Sequence, residues 1–184
     1  MSTAGVLLAA GSGSRFAGAE HKLLISVRGR PLYRWALEHA LAAGLDELIV
    51  VTGAAMLDLP PSVTVAHNER WAEGQAGSVH VGLAAAEANG HEAAVIGLAD
   101  QPGVPTEAWR RVAAAMVPIA VAVYAGRRAN PVRLHREVWR LLPTEGDEGA
   151  RTLMRLRPEL VTEVPCPGDP ADIDTVEDLT TWNS

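Results

Sequence analysis

Runs of apolar residues alternate along the chain with segments whose apolar positions recur at helical spacing. The strand-like runs lie at residues 6–10, 47–52, 63–66, 93–98, 119–124 and 159–165. Unbroken apolar runs are typical of parallel strands that helices cover on both faces. The alternation therefore predicts a three-layer α/β/α fold, with a mostly parallel sheet between two layers of helices.

The segments between the strands carry the signals of helix ends. Helices are predicted at residues 31–44 and 79–88, from residue 105, and after residue 175. Pro31 is well placed as a first helical residue, and Gly44 suits a helix end. Ser78 is placed to cap the second helix. Thr175 and Asp178 approximate a capping box before the last one.

Size and composition are those of one globular unit. The chain has 184 residues, 48% of them hydrophobic, so residues 1–184 are predicted to form a single domain with a sizeable core. The net charge of −6 argues against a nucleic-acid or anionic-membrane partner, because such partners need a basic surface. Neither a signal-peptide pattern nor a membrane-spanning run is present, which predicts a cytoplasmic protein.

Cysteine and histidine give little indication of disulfide or metal chemistry. The single cysteine, Cys166, cannot form an internal disulfide and lies between two prolines, so we interpret it as structural. The six histidines are scattered and lack the spacing of zinc ligands.

A glycine-bearing loop with two basic residues follows the first predicted strand. The run Val6–Ala10 leads into Gly11-Ser12-Gly13-Ser14-Arg15, and Lys22 lies seven residues beyond the arginine. Glycines leave no Cβ in the way, so successive N–H groups can turn inward around an anion. Lys22 is the only lysine beside fifteen arginines, and its compact ammonium suits a point contact with phosphate. The alternative is an ordinary turn with a surface lysine.

Two well-known phosphate loops do not match this sequence. A Walker A loop requires four residues between its glycines and then Lys-Ser/Thr, and no such string occurs. A dinucleotide fingerprint requires a third glycine three residues after the second, where this chain has Phe16. The loop therefore belongs to neither class.

Aspartates and a polar stretch lie near the ends of later elements. Asp100 comes at the end of the run 93–98, and ligands of open α/β sheets collect at the carboxyl edge of the strands. Asp172 and Asp174 lie in an acidic turn before the last helix. Aspartates in such places are otherwise helix or turn caps. The polar residues 68–78 precede a helix N-terminus, which suits an anion or a base contact.

Taken in chain order, these motifs resemble a known family. L-A-A-G-S-G-S-R-F with a downstream lysine is similar to the signature loop of nucleotidyltransferases that couple an NTP to a phosphorylated acceptor, in particular the MobA-like molybdenum cofactor cytidylyltransferases and guanylyltransferases. Residues 68–78, 100–102, 146–151 and 172–179 resemble later motifs of that family. The spacing from Arg15 to Lys22 is two residues longer than the family pattern. The resemblance spans nearly the whole chain and implies a Rossmann-like nucleotidyltransferase fold.

The resemblance implies a reaction and roles for individual residues. An acceptor phosphate would attack the α-phosphorus of an NTP and release pyrophosphate. Arg15, Lys22 and Asp100 would be catalytic, and Mg²⁺ would bind Asp100 and Asp174. The implied nucleotide-binding residues are Leu8, Ala9, Ala10, Gly11, Ser12, Gly13, Ser14, Arg15, Lys22, Gln75 and Ser78.

The resemblance also suggests the substrates. Asn130 and Arg151 would bind the acceptor, with molybdopterin as the implied acceptor and a molybdoenzyme as a partner. Alanine at position 10 implies CTP rather than GTP, since its methyl group would crowd a purine. Two alternatives remain open at this point: a cytidylyltransferase for an isoprenoid or sugar phosphate, and a non-catalytic nucleotide- or cofactor-binding chaperone for a molybdoenzyme.

Overall fold

Seven of the strands that the structure describes form one central sheet. The computed structural model describes residues 1–13, 21–146 and 149–183. The strands are β1 (Thr3–Ala9), β2 (Ser26–Val27), β3 (Arg30–Pro31), β4 (Glu47–Thr52), β5 (Thr64–His67), β6 (Ala93–Leu98), β7 (Ile119–Tyr124), β8 (Arg127–His135) and β9 (Val161–Pro165). The helices are α1 (Leu32–Ala42), α2 (Gln75–Ala88), α3 (Thr106–Ala114), α4 (Ala150–Leu156) and α5 (Val176–Asn183). Among these described helices, none has the length and apolar character needed to cross a membrane.

The sheet has the order β5-β4-β1-β6-β8-β7-β9, and β2 pairs with β3 in a separate hairpin. β1 is parallel to β4 and β6, β4 is parallel to β5, and β7 is parallel to β9. Only β8 among the described strands of this sheet runs antiparallel to its neighbours. Parallel neighbours require crossover connections, and these connections bring the helices onto the faces of the sheet.

Alternate residues of each strand bury their side chains in two apolar layers. Leu7 and Ala9 of β1 share one layer with residues of α1 and α3. Val6 and Leu8 share the other with residues of α2 and α4. All four side chains are at most 7% exposed, so coverage on both faces explains the unbroken apolar run. The predicted three-layer, mostly parallel fold is confirmed.

α2 and β8 differ from the prediction, and α4 and the short strands β2 and β3 are additional to it. α2 begins at Gln75 rather than at Val79, directly after Gly74, whose φ of 113° favours glycine. Ser78 therefore lies inside the helix, and its predicted role as the cap is wrong. β8 is an additional strand that the apolar pattern did not predict, because polar residues interrupt it and it carries the buried Arg133.

The carboxyl ends of β1, β4 and β6 meet at one edge of the sheet. Gly53 follows β4, and a Cβ at this position would lie only 2.5 Å from the carbonyl oxygen of Ala10, which follows β1. Glycine at position 53 therefore allows the ends of β1 and β4 to lie close together. Asp100 follows β6 at the same edge, which is where ligands bind in open α/β sheets.

Candidate active site

A cavity of about 420 Å³ opens at this edge of the sheet. Its wall contains every described residue that was predicted to bind the nucleotide, together with both predicted metal ligands. These residues are Leu8, Ala9, Ala10, Gly11, Ser12, Gly13, Lys22, Gln75, Ser78, Asp100 and Asp174. Ser14 and Arg15 lie outside the described residues. Residues distant in sequence thus converge on one concave surface, which we call the first cavity.

Lys22 lies between the two aspartates. Its Nζ is 2.8 Å from Oδ2 of Asp100 and also forms an ion pair with Oδ1 of Asp174. The Lys22 side chain is only 7% exposed, so it is not the surface lysine of the alternative interpretation. Burial alone would lower the pKa of Lys22, but the charges and hydrogen bonds of Asp100 and Asp174 outweigh it and raise the pKa.

Gln101 and backbone contacts hold the two aspartates in place. The N–H of Ile173 donates to the carbonyl oxygen of Asp100 over 3.1 Å, so the turn that carries Asp174 is tied to the end of β6. Gln101 Nε2 donates to the carbonyl oxygen of Pro170 at 2.9 Å and to Oδ1 of Asp172 at 2.8 Å. The sequence did not single out Gln101, since only these tertiary contacts reveal its role.

Different neighbours shift the pKa values of Asp172 and Asp178 in opposite directions. Burial and the negative charge of Asp100 raise the pKa of Asp172, against the hydrogen bond from Gln101. Asp178 accepts from the Thr175 hydroxyl and N–H, and these bonds lower its pKa. The Asp178 N–H donates in turn to the Thr175 hydroxyl over 3.2 Å. The capping box predicted for these two residues is therefore confirmed, and it holds the turn next to Asp174.

The pair Asp100 and Asp174 is suited to a divalent cation. Their oxygens already converge on one cation, the ammonium of Lys22, and carboxylate oxygens are the ligands that Mg²⁺ prefers. Within the described ranges, no cluster of three or more His, Cys, Asp or Glu side chains is arranged as a metal site. Mg²⁺ commonly takes one or two protein carboxylates with phosphates and water, so the pair fits it when a phosphorylated substrate is bound.

The loop before α2 is fixed by Asn68 and by the turn at Gly146. Asn68 Nδ2 donates to Oγ of Ser78 over 3.0 Å, so the Ser78 hydroxyl, predicted to contact a base, also holds this loop. The N–H of Ala76 donates to the carbonyl oxygen of Gly146 over 2.9 Å. One of the backbone N–H groups at the start of α2 is therefore already hydrogen-bonded within the protein. Trp71, which the sequence did not assign as a contact, lies on the wall of the first cavity.

A second cavity, of about 340 Å³, adjoins the first, and Gln75 and Leu98 line both. Asn130 and Arg151, the predicted acceptor-binding residues, lie on its wall with two further arginines, Arg128 and Arg155. The remaining lining is mostly apolar: Val79, Ile96, Val121, Ala129, Val132, Ala150 and Met154.

A bulge shapes the part of the second cavity formed by β8. Val121 pairs with Val132, but the next residue, Ala122, pairs with Ala129, so Asn130 and its successor are extra residues in β8. Such a bulge redirects side chains that regular pairing would point elsewhere. The Tyr124 hydroxyl donates to the carbonyl oxygen of Asn130 over 2.9 Å, and burial raises the pKa of Tyr124, which keeps this donor protonated.

Residues 5–163 match one protein-family model, that of the MobA-like NTP transferase domain. The chain belongs to the MobA-like NTP transferase family. The match runs from Gly5 in β1 to Glu163 in β9 and includes every described wall residue of the first cavity except Asp174.

Two known proteins align with this chain over nearly its full length. Nicotine blue oxidoreductase from Paenarthrobacter nicotinovorans is 33% identical over 95% of this chain and 93% of its own length. Purine catabolism protein PucB from Bacillus subtilis is 31% identical over 95% of this chain and 92% of its own length. The two names refer to different processes.

Solved structures share the fold of this MobA-like chain. The crystal structure of Rv0371c from Mycobacterium tuberculosis has a TM-score of 0.84 at 30% identity and covers 99% of this chain and 97% of its own. Its complex with manganese has a TM-score of 0.81 at 28% identity, with 99% and 98% covered. The inositol-1-phosphate CTP transferase of T. maritima has a TM-score of 0.75 at 16% identity, which shows a common fold. With the family match, these similarities identify the chain as a nucleotidyltransferase of the MobA-like type.

Proposed function

We propose that this chain is a single-domain cytidylyltransferase that transfers CMP from CTP to the phosphate of molybdopterin and releases pyrophosphate. The observation that carries the proposal is the convergence of Lys22, Asp100 and Asp174 on the first cavity, next to a second cavity rimmed by arginines. Two adjoining cavities with one cation-binding centre suit a reaction that joins two anionic substrates.

The first cavity would hold the nucleotide. Residues 11–13 would offer backbone N–H groups to the triphosphate, and Lys22 would add a full positive charge beside them. Phosphoryl chemistry of this kind needs mainly positioning and charge neutralisation. Trp71 and Gln75 line the same cavity and would contact the base.

Asp100 and Asp174 would hold Mg²⁺, and the bound ion would neutralise charge on the phosphate oxygens. Lys22 now occupies the position between these carboxylates, so its ammonium would turn towards the triphosphate when a metal takes its place. Both carboxylates are partly exposed to the cavity, at 25% and 36%, which leaves them accessible to an ion that arrives with the nucleotide.

The lining of the second cavity favours molybdopterin over a sugar phosphate. Its arginines suit a phosphate, because the guanidinium fork matches phosphate oxygens. Its apolar walls suit the faces of a flat ring system. Among the described lining residues there is no carboxylate to accept hydrogen bonds from the hydroxyl groups of a polyol. A molybdoenzyme that receives the product would be the partner.

The proposal is tested by pyrophosphate release from each of the four NTPs, with molybdopterin, a sugar phosphate or an isoprenoid-precursor phosphate as the acceptor. We expect release to require molybdopterin, CTP and Mg²⁺ together. Release with another acceptor would support the alternative cytidylyltransferase. Nucleotide binding without release from any pair would support a non-catalytic chaperone.

An Ala10→Gly enzyme is expected to show a weaker preference for CTP over GTP than the wild type. Ala10 lines the first cavity, and removal of its methyl group gives a purine more room. We expect the ratio of kcat/KM for CTP over GTP to fall about tenfold, the size of a typical single-methyl discrimination. Steady-state rates with both nucleotides measure it.

The matched control for this prediction is Ala9→Gly. Ala9 also lines the cavity, but it belongs to the apolar layer on the opposite face of the sheet from Ala10. The two substitutions change backbone freedom alike, so only Ala10→Gly should alter the nucleotide ratio. Equal kcat/KM for CTP and GTP in the wild-type enzyme would contradict the assignment of CTP.

An Arg151→Ala enzyme is expected to have a KM for the acceptor raised about tenfold, with the KM for CTP nearly unchanged. Arg151 lines only the second cavity, and an arginine hydrogen bond to a charged group contributes roughly 1.5–3 kcal/mol. The control is Arg140→Ala, because Arg140 is exposed and lines neither cavity. If the KM for CTP rises and the KM for the acceptor does not, Arg151 binds the nucleotide, and its assignment to the acceptor is wrong.

A further inference from the structure

The side chain of His21 joins the two ends of the glycine loop. His21 Nε2 lies 2.9 Å from the carbonyl oxygen of Gly11, and the N–H of Leu23 donates to His21 Nδ1 over 3.2 Å. Because a backbone N–H can only donate, Nδ1 is an acceptor, so the ring proton is on Nε2 and is donated to Gly11. His21 also caps the short 3₁₀ helix that begins at Lys22.

The same two segments touch again at Gly13. A Cβ at Gly13 would lie 2.6 Å from Cβ of Lys22 and 3.2 Å from its backbone nitrogen, and Gly13 has a φ of 63°. A side chain here would push residues 11–13 away from Lys22. We call these two contacts, His21 with Gly11 and Gly13 with Lys22, the loop clasp.

The loop clasp sets the direction of a peptide group on the wall of the first cavity. A trans peptide is planar and its C=O and N–H point in opposite directions, so the bond that holds the Gly11 carbonyl also fixes the Ser12 N–H. Without that bond the peptide can rotate and present its carbonyl oxygen where an anion would need an N–H. Gly11, Ser12 and His21 all line this cavity.

We propose that His21 is a positioning residue, which holds the Gly11–Ser12 peptide in the orientation that binds a triphosphate. The proposal rests on the proposed binding of an NTP in the first cavity and adds a residue that has no role there otherwise. It also gives a function to the position directly before Lys22, because the clasp brings residues 11–13 and Lys22 to the same phosphates.

His21→Asn and His21→Gln separate the two hydrogen bonds of the ring. An asparagine oxygen can replace Nδ1 as the acceptor for Leu23, but its side chain is too short to reach Gly11. A glutamine amide can replace Nε2 as the donor to Gly11, but it loses the cap. We expect His21→Asn to weaken binding of magnesium tripolyphosphate about tenfold, and His21→Gln to bind within about threefold of the wild type while its Tm falls.

Affinity is measured by titration calorimetry with magnesium tripolyphosphate and with each NTP, alongside the Tm. Tripolyphosphate has no base and needs no acceptor, so a wrong assignment of CTP or molybdopterin leaves this test intact. The control is His80→Asn, since His80 Nε2 also lies 2.9 Å from a carbonyl oxygen, that of Pro143, away from both cavities. Equal affinities in the wild type and both His21 variants, or a wild type that binds neither tripolyphosphate nor any NTP, would overturn the proposal.

Discussion

A Lys22→Ala enzyme is expected to lose about a hundredfold or more in kcat/KM for nucleotidyl transfer. The ammonium of Lys22 lies on the wall of the first cavity, against Asp100 and Asp174, and no other lysine in the chain can replace it. Loss of one group that stabilises developing charge commonly costs this much in rate. Pyrophosphate release at saturating acceptor and varied NTP measures it.

Two variants separate the charge of Lys22 from its role in stability. Alanine leaves two neighbouring carboxylates without their cation, so we expect the Tm to fall as well. Lys22→Met keeps the apolar stem and should recover part of the Tm without recovering the rate. Lys22→Arg should recover little of the rate, because the planar guanidinium is bulkier than the compact ammonium and differently hydrated. A Lys22→Ala enzyme with a kcat/KM near that of the wild type would make Lys22 a purely structural residue.

The order of the strands and helices could be predicted because parallel strands are buried on both faces. The run at β4 is apolar at nearly every position, and all of its residues from Leu48 to Thr52 are buried. For such a strand, the run of apolar residues in the sequence therefore indicates burial directly. β8 was not predicted because its bulge and its polar residues interrupt the apolar run.

The start of α2 depends on contacts that are distant in sequence. Ser78 is a good cap by residue type, and this led the prediction to begin the helix after it. In the structure the helix begins at Gln75, and the N–H of Ala76 is satisfied by the carbonyl of Gly146, seventy residues later. Local preference cannot reveal such a partner, so a favourable capping residue was placed inside the helix.

Many wall residues of the first cavity could be predicted from the sequence, but the ion pairs between their side chains could not. Asp100 was recognisable because it ends a buried strand, and Asp174 because it resembles a family motif. That Lys22 is buried between them follows only from packing, since 78 and 152 residues separate the partners along the chain. Gln101 was missed for the same reason, because its partners lie 69 and 71 residues away along the chain. His21 was missed because its two hydrogen bonds to the backbone leave no mark in the residue pattern. The predicted Ser14 and Arg15 lie outside the described residues.

An Asp100→Asn enzyme is expected to lose on the order of a thousandfold in the rate of transfer. Asp100 is carried by the end of β6 and tied to Ile173, so its carboxylate is held towards the cation position. Asparagine keeps the shape and one acceptor oxygen but loses the charge that binds Mg²⁺. Charge stabilisation by a bound metal contributes several kcal/mol, and each 1.4 kcal/mol is about tenfold in rate. Pyrophosphate release against Mg²⁺ concentration measures the loss.

Asp174→Asn and Asp172→Asn provide the graded comparison. Asp174 shares the cation with Asp100, so its variant should lose about a hundredfold and recover part of the rate at high Mg²⁺, since a weakened site fills at higher concentration. Asp172 is bonded to Gln101, and an asparagine oxygen can still accept that bond, so its variant should stay within about tenfold of the wild type. If the aspartates were only turn caps, all three replacements would be mild, because Asn caps about as well as Asp. An Asp100→Asn enzyme with unchanged rate and unchanged Mg²⁺ dependence would therefore remove the metal from this site and leave the Lys22 ammonium as its only resident cation among the described residues.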